Sequence, residues 1–285
     1  MNQQLLQQLK EFALEIRLET MKEFKTRGFG HVGGAMSIVE TFAVLYGTVM
    51  LYDPKNPAWP ERDKLVCSKG HAGPSLYATL ALKGFFPLDW LDTLNMPGTR
   101  LPSHCDCKLT PGIDMTTGSL GQGMSTALGM ALGDKLQKRL NTIYLIVGDG
   151  ELNEGQIWEG AQFAGHNKLE NVIAFCDSNK KQLDGYCMDI LDLTDVRCKF
   201  ECFGWHTQEV DGQDIEAVYE AIMKAKAKTG RPHMIVLNTT KGAGVKSVEE
   251  MVANHHIVVS SEMADTAIAD LEAQRIAIRG AGDAL

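Results

Sequence analysis

The stretch Asn141-Thr-Ile-Tyr-Leu-Ile-Val147 leads directly into Gly148-Asp149-Gly150-Glu151-Leu152-Asn153-Glu154-Gly155, and this succession decides the fold. Further along the chain, a second apolar run, Val172-Ile-Ala-Phe-Cys176, leads into Asp177-Ser178-Asn179. Short apolar runs bounded by turn residues are typical of strands that are buried on both faces of a parallel sheet. The pattern therefore predicts two parallel strands, each ending in an oxygen-bearing side chain at the sheet edge where α/β proteins bind ligands.

The oxygen-bearing residues at these strand ends predict a metal site. The Asp149 carboxylate and the Asn179 amide oxygen are hard ligands of the kind that Mg²⁺ prefers, and a nearby backbone carbonyl, which we assign to Lys181, would join them. Glycines on both sides of Asp149 leave room for a diphosphate, and a helix beginning near Asn153 would direct its N-terminus at that anion. We predict a diphosphate held by a divalent cation, Mg²⁺ or the related Ca²⁺ or Mn²⁺.

The same residues have a plainer interpretation. Asp between two glycines is common in ordinary turns, and Asn179 could form only an Asx-turn. The preceding strand, the following helix and the second strand ending in Asn179 favour metal ligation, because they place both side chains at one edge of the sheet.

These residues also carry a family resemblance. The stretch from Gly148 to Asn179 resembles the thiamine diphosphate motif, which opens with Gly-Asp-Gly and closes with Asn. Further segments, in family order, resemble the loops of one branch, the transketolases. They are Gly30-His31-Val-Gly33-Gly34, Ser68-Lys69-Gly70-His71-Ala72, Leu101-Pro102-Ser103-His104, Thr117-Gly118-Ser119-Leu120-Gly121-Gln122-Gly123, and Asn254-His255 after Lys241-Gly242-Ala243-Gly244.

The resemblance assigns the histidines. It implies that His71 and His255 bind the diphosphate, and that His31 and His104 hydrogen-bond the hydroxyls and carbonyl of a sugar. All four would steady developing oxyanions. A loop histidine is otherwise often a capping or solvated residue, and the adjacent His256 leaves the register at His255 open.

Further site residues follow from the same resemblance. Gly118 and Leu120 would contact the aminopyrimidine and thiazolium rings of thiamine diphosphate, and Gly150 and Glu151 would belong to the cofactor-binding set. Glu154 would join a proton-linked carboxylate network across a subunit interface. A glutamate in a first helical turn can instead simply stabilise the helix dipole, and both roles are compatible.

Composition excludes several classes of protein. A net charge of -8 argues against a nucleic-acid partner. We find no secretory signal, and we expect no stretch long enough to span a membrane. Seven cysteines without regular spacing suggest reduced thiols in the cytoplasm, and Cys105-x-Cys107 lacks the spacing of zinc knuckles.

The alternation of strands and helices predicts an α/β protein with a parallel sheet. The resemblance implies that this is the three-layer α/β/α thiamine diphosphate-binding fold. We expect one domain over residues 1–285 with an exposed, Ala-rich helix, 261–278, as its tail. We predict strands at 64–68, 141–147, 172–177, 207–210 and 234–238, and helices at 3–26, 38–50 (capped by Ser37), 75–82, 120–140, 154–166 and 214–228.

The resemblance covers only the diphosphate-binding region of a transketolase. It implies a partner, a C-terminal subunit with a pyrimidine-binding domain, and an α2β2 heterotetramer that transfers a two-carbon ketol unit from a ketose to an aldose. The alternatives are the α subunit of a 2-oxo acid dehydrogenase and a non-catalytic cofactor-binding subunit. Pro102-Ser103-His104-Cys105 replaces the usual Pro-Gly-His-Pro, so the sugar could be phosphorylated, sulfonated or branched.

Overall fold

A five-stranded parallel sheet forms the centre of the computed structural model, which describes residues 1–227 and 230–282. A separate antiparallel pair of short strands, β1 and β7, joins residues 29–30 to 257–258. The strands are β1 (Phe29–Gly30), β2 (Lys64–Cys67), β3 (Ile143–Gly148), β4 (Val172–Ser178), β5 (His206–Asp211), β6 (His233–Asn238) and β7 (Ile257–Val258). The order in the main sheet is β2-β3-β4-β6-β5.

Helices cover both faces of this sheet. They are α1 (Gln3–Arg27), α2 (Val32–Met36), α3 (Val39–Val44), α4 (Gly73–Leu82), α5 (Gln122–Leu136), α6 (Gly155–His166), α7 (Cys187–Leu191), α8 (Val196–Cys202), α9 (Ile215–Lys226), α10 (Lys246–Glu249) and α11 (Ser261–Gly282). Successive strand residues point to opposite faces. Tyr144 and Ile146 accordingly pack in the core with α1, α3, α4 and α9, whereas Leu145 and Val147 pack in the core with α5 and α6. The predicted three-layer architecture is confirmed.

The register of the sheet aligns the ends of the central strands. Gly148 on β3 pairs with Asp177 on β4, and Ser178 on β4 pairs with Asn238 on β6. All three strands run in the same direction, so the residues that follow them emerge at one edge. This edge is where the predicted site residues meet.

All the strands predicted from sequence are present, with small shifts at their ends, and so are most of the helices. The helix predicted to start at a Ser37 cap is different, because Ser37 separates α2 from α3 and its hydroxyl bonds Asp177 instead of capping. The predicted ends at Lys228 and at residues 283–285 lie outside the described residues.

The expectation that the C-terminal helix is exposed is wrong for one of its faces. Ala264, Ala267 and Leu271 of α11 are buried and belong to the same core as α1. Small alanine side chains permit this close approach between helices. The sequence alone did not show that α1 offers a complementary apolar surface.

The expectation that no stretch is long enough to span a membrane also needs correction. Residues Val32–Val49 are long and apolar enough to do so by length and composition. Most of this segment is buried inside the fold, where α2 and α3 belong to the core beside the sheet. Its apolar character is therefore that of a core segment.

Candidate active site

The predicted metal ligands lie together at the carboxyl edge of the sheet. The backbone N–H of Lys180 donates to the Asp149 carboxylate at 2.5 Å, which ties the end of β3 to the residue following Asn179. The N–H of Gly150 donates to the other Asp149 oxygen at 2.8 Å. Lys181 adds a carbonyl oxygen on the same loop. The structure thus brings together the residues that the sequence nominated from two separate strands.

Asp177 controls the orientation of Asn179. The Asn179 amide nitrogen donates to the Asp177 carboxylate at 3.0 Å, so that the amide oxygen remains the available acceptor, and it takes the N–H of Lys181 at 3.2 Å. Asp177 also accepts hydrogen bonds from Ser37 at 2.6 Å, from Thr239, and from the ammonium of Lys69. Asp177 has no exposed surface, and its hydrogen bonds fix the geometry behind the predicted metal site.

A cavity of about 170 Å³ adjoins these ligands. Its walls include Asp149, Asn179 and Lys181, together with two buried lysines, Lys69 and Lys241. The donor set suits a divalent cation and the lysines suit an anion, so the residues fit a metal-bound diphosphate. Burial, with the Asp177 carboxylate nearby, raises the pKa of Asp149 to about 6, and a cation beside this group would favour its charged form.

The four predicted histidines form a cluster beside this cavity. The ring centroid of His31 lies 5.7 Å from that of His71, 5.3 Å from that of His104 and 5.3 Å from that of His255. The rings of His71 and His255 are 4.8 Å apart and both line the cavity. Residues from four distant loops therefore meet at one point.

His256 is the fifth ring of the cluster, 4.7 Å from His31, and it also lies against Phe29. His255, rather than His256, lines the cavity, which favours the register chosen from sequence. That His255, and not His256, contacts a ligand stays a prediction.

Four of the clustered histidines, His31, His71, His104 and His255, have lowered pKa values and are neutral at physiological pH. Burial is the main cause, and it lowers the pKa of His31 to about 4 and that of His255 to about 3, with neighbouring His256 and Lys241 adding to the effect. Burial likewise lowers the pKa of His71 and His104. Neutral imidazoles both donate and accept hydrogen bonds, so this cluster suits hydroxyl and carbonyl groups, while the lysines supply the positive charge.

Two glycines allow the histidines to reach their positions. A Cβ atom at Gly34 would lie 2.8 Å from Cδ2 of His71, which therefore rests directly on the backbone of α2. Gly118 has a φ of +137°, and a Cβ there would lie 3.1 Å from the ring of His104. Side chains at either position would displace a ring of the cluster.

Glu151 has a task that differs from its predicted cofactor contact. Its buried carboxylate accepts the N–H of Gly121 at 2.8 Å, the N–H of Gly148 at 3.0 Å and the hydroxyl of Ser68. These bonds hold three cofactor-side loops in place. Glu151 also lines the cavity, and a direct contact with the cofactor stays a prediction.

The remaining predicted residues occupy two kinds of place. Leu120 and Gly150 line the cavity, as their predicted roles require. Glu154 is exposed at the start of α6, where its side chain is available to another chain. Its predicted role across an interface stays a prediction.

Sequence reasoning did not identify Lys69, Asp177 and Lys241 as functional. Each belongs to one of the motifs described above. A charged residue at or soon after the end of an apolar strand is a sequence signal that could have indicated a functional role. Their importance depends on burial and on contacts with distant parts of the chain, which a local pattern does not reveal.

Comparison with protein families gives one match over most of the chain. Residues 9–274 match the family described as the transketolase, thiamine diphosphate binding domain. Among solved structures, the transketolase of Campylobacter jejuni superposes with a TM-score of 0.87 at 29% identity, covering 98% of this chain and 46% of that one. The chain thus spans less than half the length of that enzyme.

Two similar proteins of comparable length are named as subunits. A 6-deoxy-6-sulfo-D-fructose transketolase subunit of Clostridium sp. (strain MSTE9) is 53% identical over 264 residues, covering 93% of this chain and 96% of that protein. A subunit of the apulose-4-phosphate transketolase of Actinobacillus succinogenes is 39% identical over 243 residues, covering 85% of this chain and 88% of that protein.

Proposed function

The chain belongs to the transketolase family, and from that premise we propose that it is the diphosphate-binding subunit of a two-chain transketolase. In this proposal it binds thiamine diphosphate through a divalent cation, Mg²⁺ in the first instance, and acts with a second subunit to transfer a two-carbon ketol unit from a ketose to an aldose. The observation that carries the proposal is the cluster of His31, His71, His104 and His255 beside the cavity.

The histidine cluster favours a sugar over a 2-oxo acid. A ketose presents several hydroxyls and a carbonyl, and neutral imidazoles can donate to or accept from each of these groups. A small 2-oxo acid offers no comparable row of hydroxyls. The transketolase interpretation is therefore better supported than that of a 2-oxo acid dehydrogenase α subunit.

The chain's own residues would bind and orient the cation, the diphosphate and the ketose. Asp149, Asn179 and the Lys181 carbonyl would hold the cation, while Lys69 and Lys241 offer positive charge to the diphosphate. His31 and His104 would hold the ketose and steady an oxygen that gains negative charge, which is electrostatic stabilisation by fixed donors. Thiamine diphosphate, when bound, supplies the electron sink needed to break a carbon–carbon bond next to a carbonyl.

We propose that the partner is a chain with the pyrimidine-binding domain, assembled with this one as an α2β2 heterotetramer. The subunit names of the two relatives support a partner. The exposure of Glu154 at the start of α6 supports a contact between this side chain and the partner. We also propose a cytoplasmic location, which the seven irregularly spaced cysteines support.

For the donor we propose a sulfonated ketose of the 6-deoxy-6-sulfo-D-fructose type. The relative that acts on this sugar shares 53% of its residues with this chain across nearly its whole length. Branched sugar phosphates such as apulose 4-phosphate are the second candidate, because the relative acting on one is 39% identical.

The test is reconstitution with a second subunit that carries the pyrimidine-binding domain. We expect two-carbon transfer to an aldose acceptor from 6-deoxy-6-sulfo-D-fructose, with lower rates from apulose 4-phosphate and D-fructose 6-phosphate. The isolated chain should have no activity. Consumption of pyruvate instead would support the dehydrogenase alternative, and cofactor binding without turnover on any donor would support a non-catalytic role.

Two variants separate cofactor binding from substrate binding. Asp149→Ala should abolish binding of thiamine diphosphate with Mg²⁺ by the assembled complex, whereas His104→Ala should lower turnover with little change in cofactor affinity. His166→Ala, an exposed histidine at the end of α6, is the matched control and should change neither. Normal cofactor affinity in Asp149→Ala would contradict the assignment of the metal site.

A further inference from the structure

Lys241 links two loops of the site through one buried ammonium group. Its Nζ donates to the carbonyl of Lys181 at 2.8 Å, and it lies 3.2 Å from Nδ1 of His255. Only 3% of the residue is exposed. The contact with His255 joins residues from different loops, and it places one ring of the cluster at bonding distance from an ammonium.

This contact decides which nitrogen of His255 carries the proton. An ammonium group has three donors and no acceptor, so Nδ1 of His255 must accept. In a neutral imidazole the other nitrogen, Nε2, then carries the hydrogen. The ring is indeed neutral, because burial and the charge of Lys241 lower the pKa of His255 to about 3.

We propose that Lys241 is a positioning residue that holds His255 in the tautomer with hydrogen on Nε2, so that this ring presents a hydrogen-bond donor to the cavity. Among the described residues, no acceptor is bonded to Nε2 of His255, and the ring lines the cavity beside His71. The donor is thus available to an anionic or carbonyl oxygen. Without Lys241, the neutral ring could carry its hydrogen on either Nδ1 or Nε2.

The same ammonium leaves the Lys181 carbonyl able to bind a cation. A carbonyl oxygen has two lone pairs, and Lys241 uses one of them.

The inference rests on the proposed function only for the identity of the ligand that Nε2 meets. The state of the ring can be measured without any cofactor.

Histidine ¹⁵N NMR of the free chain tests the tautomer directly, with the His255 signals assigned from their loss in His255→Gln. We expect wild-type His255 to show the pattern of a neutral ring with hydrogen on Nε2. Lys241→Met should shift both nitrogens toward a mixture of tautomers, and Lys241→Arg, which keeps a cationic donor, should restore the wild-type pattern.

The control is Lys135→Met, because Lys135 also donates to backbone carbonyls, those of Asn167 and Lys168, but lies far from the site. It should leave the His255 signals unchanged. An unchanged His255 pattern in Lys241→Met would overturn the proposal. If that variant does not fold, wild type decides by itself, since hydrogen on Nδ1 or a doubly protonated ring would also overturn it.

Binding of inorganic pyrophosphate with Mg²⁺, followed by calorimetry, tests the consequence. We expect Lys241→Met and His255→Gln each to weaken binding by about ten-fold, and the double variant to weaken it by clearly less than the product of the two, because part of the loss in Lys241→Met, beyond that of its own charge, comes through the His255 donor. Independent, multiplying effects would contradict the coupling. The expected tautomer without any pyrophosphate binding would leave the positioning role intact and count against the proposed cofactor site.

Discussion

Two carboxylates with no exposed surface occupy opposite environments in this protein. Asp177, at the end of β4, accepts hydrogen bonds from Lys69, Ser37, Thr239 and Asn179. Glu23, in α1, has no hydrogen-bond partner for either oxygen among the described residues. Folding removes the water around both carboxylates, but only Asp177 gains hydrogen-bond donors of the protein in its place.

Their protonation follows the partners rather than the burial. Burial alone would raise the pKa of Asp177, yet the charge of Lys69 and the hydrogen bonds outweigh it and hold that pKa below its usual value. Burial, reinforced by Glu19 and Asp92, raises the pKa of Glu23 well above its usual value. Asp177 is therefore a charged brace beside the site, and Glu23 is a neutral acid in the core.

The largest effect is expected from Asp177→Ala. It leaves the Lys69 ammonium buried without its carboxylate, which costs about 3–5 kcal/mol of unfolding free energy. It also frees the Asn179 amide, so Mg²⁺ with thiamine diphosphate should no longer raise the melting temperature of the reconstituted complex. Urea unfolding and thermal melts measure the two effects, and a loss below about 1 kcal/mol would contradict the bracing role.

A smaller loss is expected from Lys69→Met. Asp177 keeps the donors from Ser37, Thr239 and Asn179, so the cost should be about 2–3 kcal/mol, the value of one hydrogen bond to a charged group. The cost should shrink on acidification, because the folded pKa of Asp177 rises without the lysine and the variant then loses less stability than wild type as the pH falls. Urea unfolding between pH 4 and 7 checks this, and a cost equal to that of Asp177→Ala would show that the other donors contribute nothing.

Glu23→Met should have the opposite sign. A raised folded pKa means that the stability of wild type is highest below the unfolded pKa, about 4.3, and is lost as the pH rises through the folded value. The variant should therefore gain about 1–3 kcal/mol at pH 8 and much less at pH 5.

Urea unfolding of both proteins at these two pH values measures the gain. The exposed Glu159→Gln on α6 serves as the control and should change little at either pH. An equal gain at both pH values would mean that the advantage comes from better packing and not from the removed carboxyl.

The smallest effect is expected from Ser37→Ala, which removes one of the neutral donors to Asp177. Because the other donors remain, the loss should be about 1.5 kcal/mol of unfolding free energy, the low end for a hydrogen bond to a charged group, with cofactor affinity nearly unchanged. Thermal melts with and without cofactor check it. A loss as large as that of Lys69→Met would mean that Ser37 orients the whole network.

Predictability from sequence differs between elements in a way that burial explains. Strands β3 and β4 were predictable because both of their faces are buried, which gives each strand a continuous run of apolar residues in the sequence. Ser37 was misassigned as a helix cap because capping preference is a local property of the sequence. In the fold its hydroxyl donates to the distant residue Asp177 instead of capping a helix. The C-terminal helix was placed on the surface because its alanines give no sign of a packing partner.

The site shows the same division. The motifs nominated His31, His71, His104 and His255, the structure brings their rings together, and it adds His256 to the cluster. Lys241 escaped notice because its role depends on contacts with Lys181 and His255 that bring together separate loops.

The sequence by itself determined the strands, most helices and the candidate site residues that meet at one edge of the sheet, because periodicity and motif spacing are local properties of the chain. Only the tertiary structure decided which charged groups have partners. Lys69 and Asp177 are separated by 108 positions and meet only because β2, β3 and β4 lie side by side in the sheet. Glu23 lies in helix α1, and its isolation follows from its complete burial after folding, where neither oxygen meets a hydrogen-bond donor among the described residues.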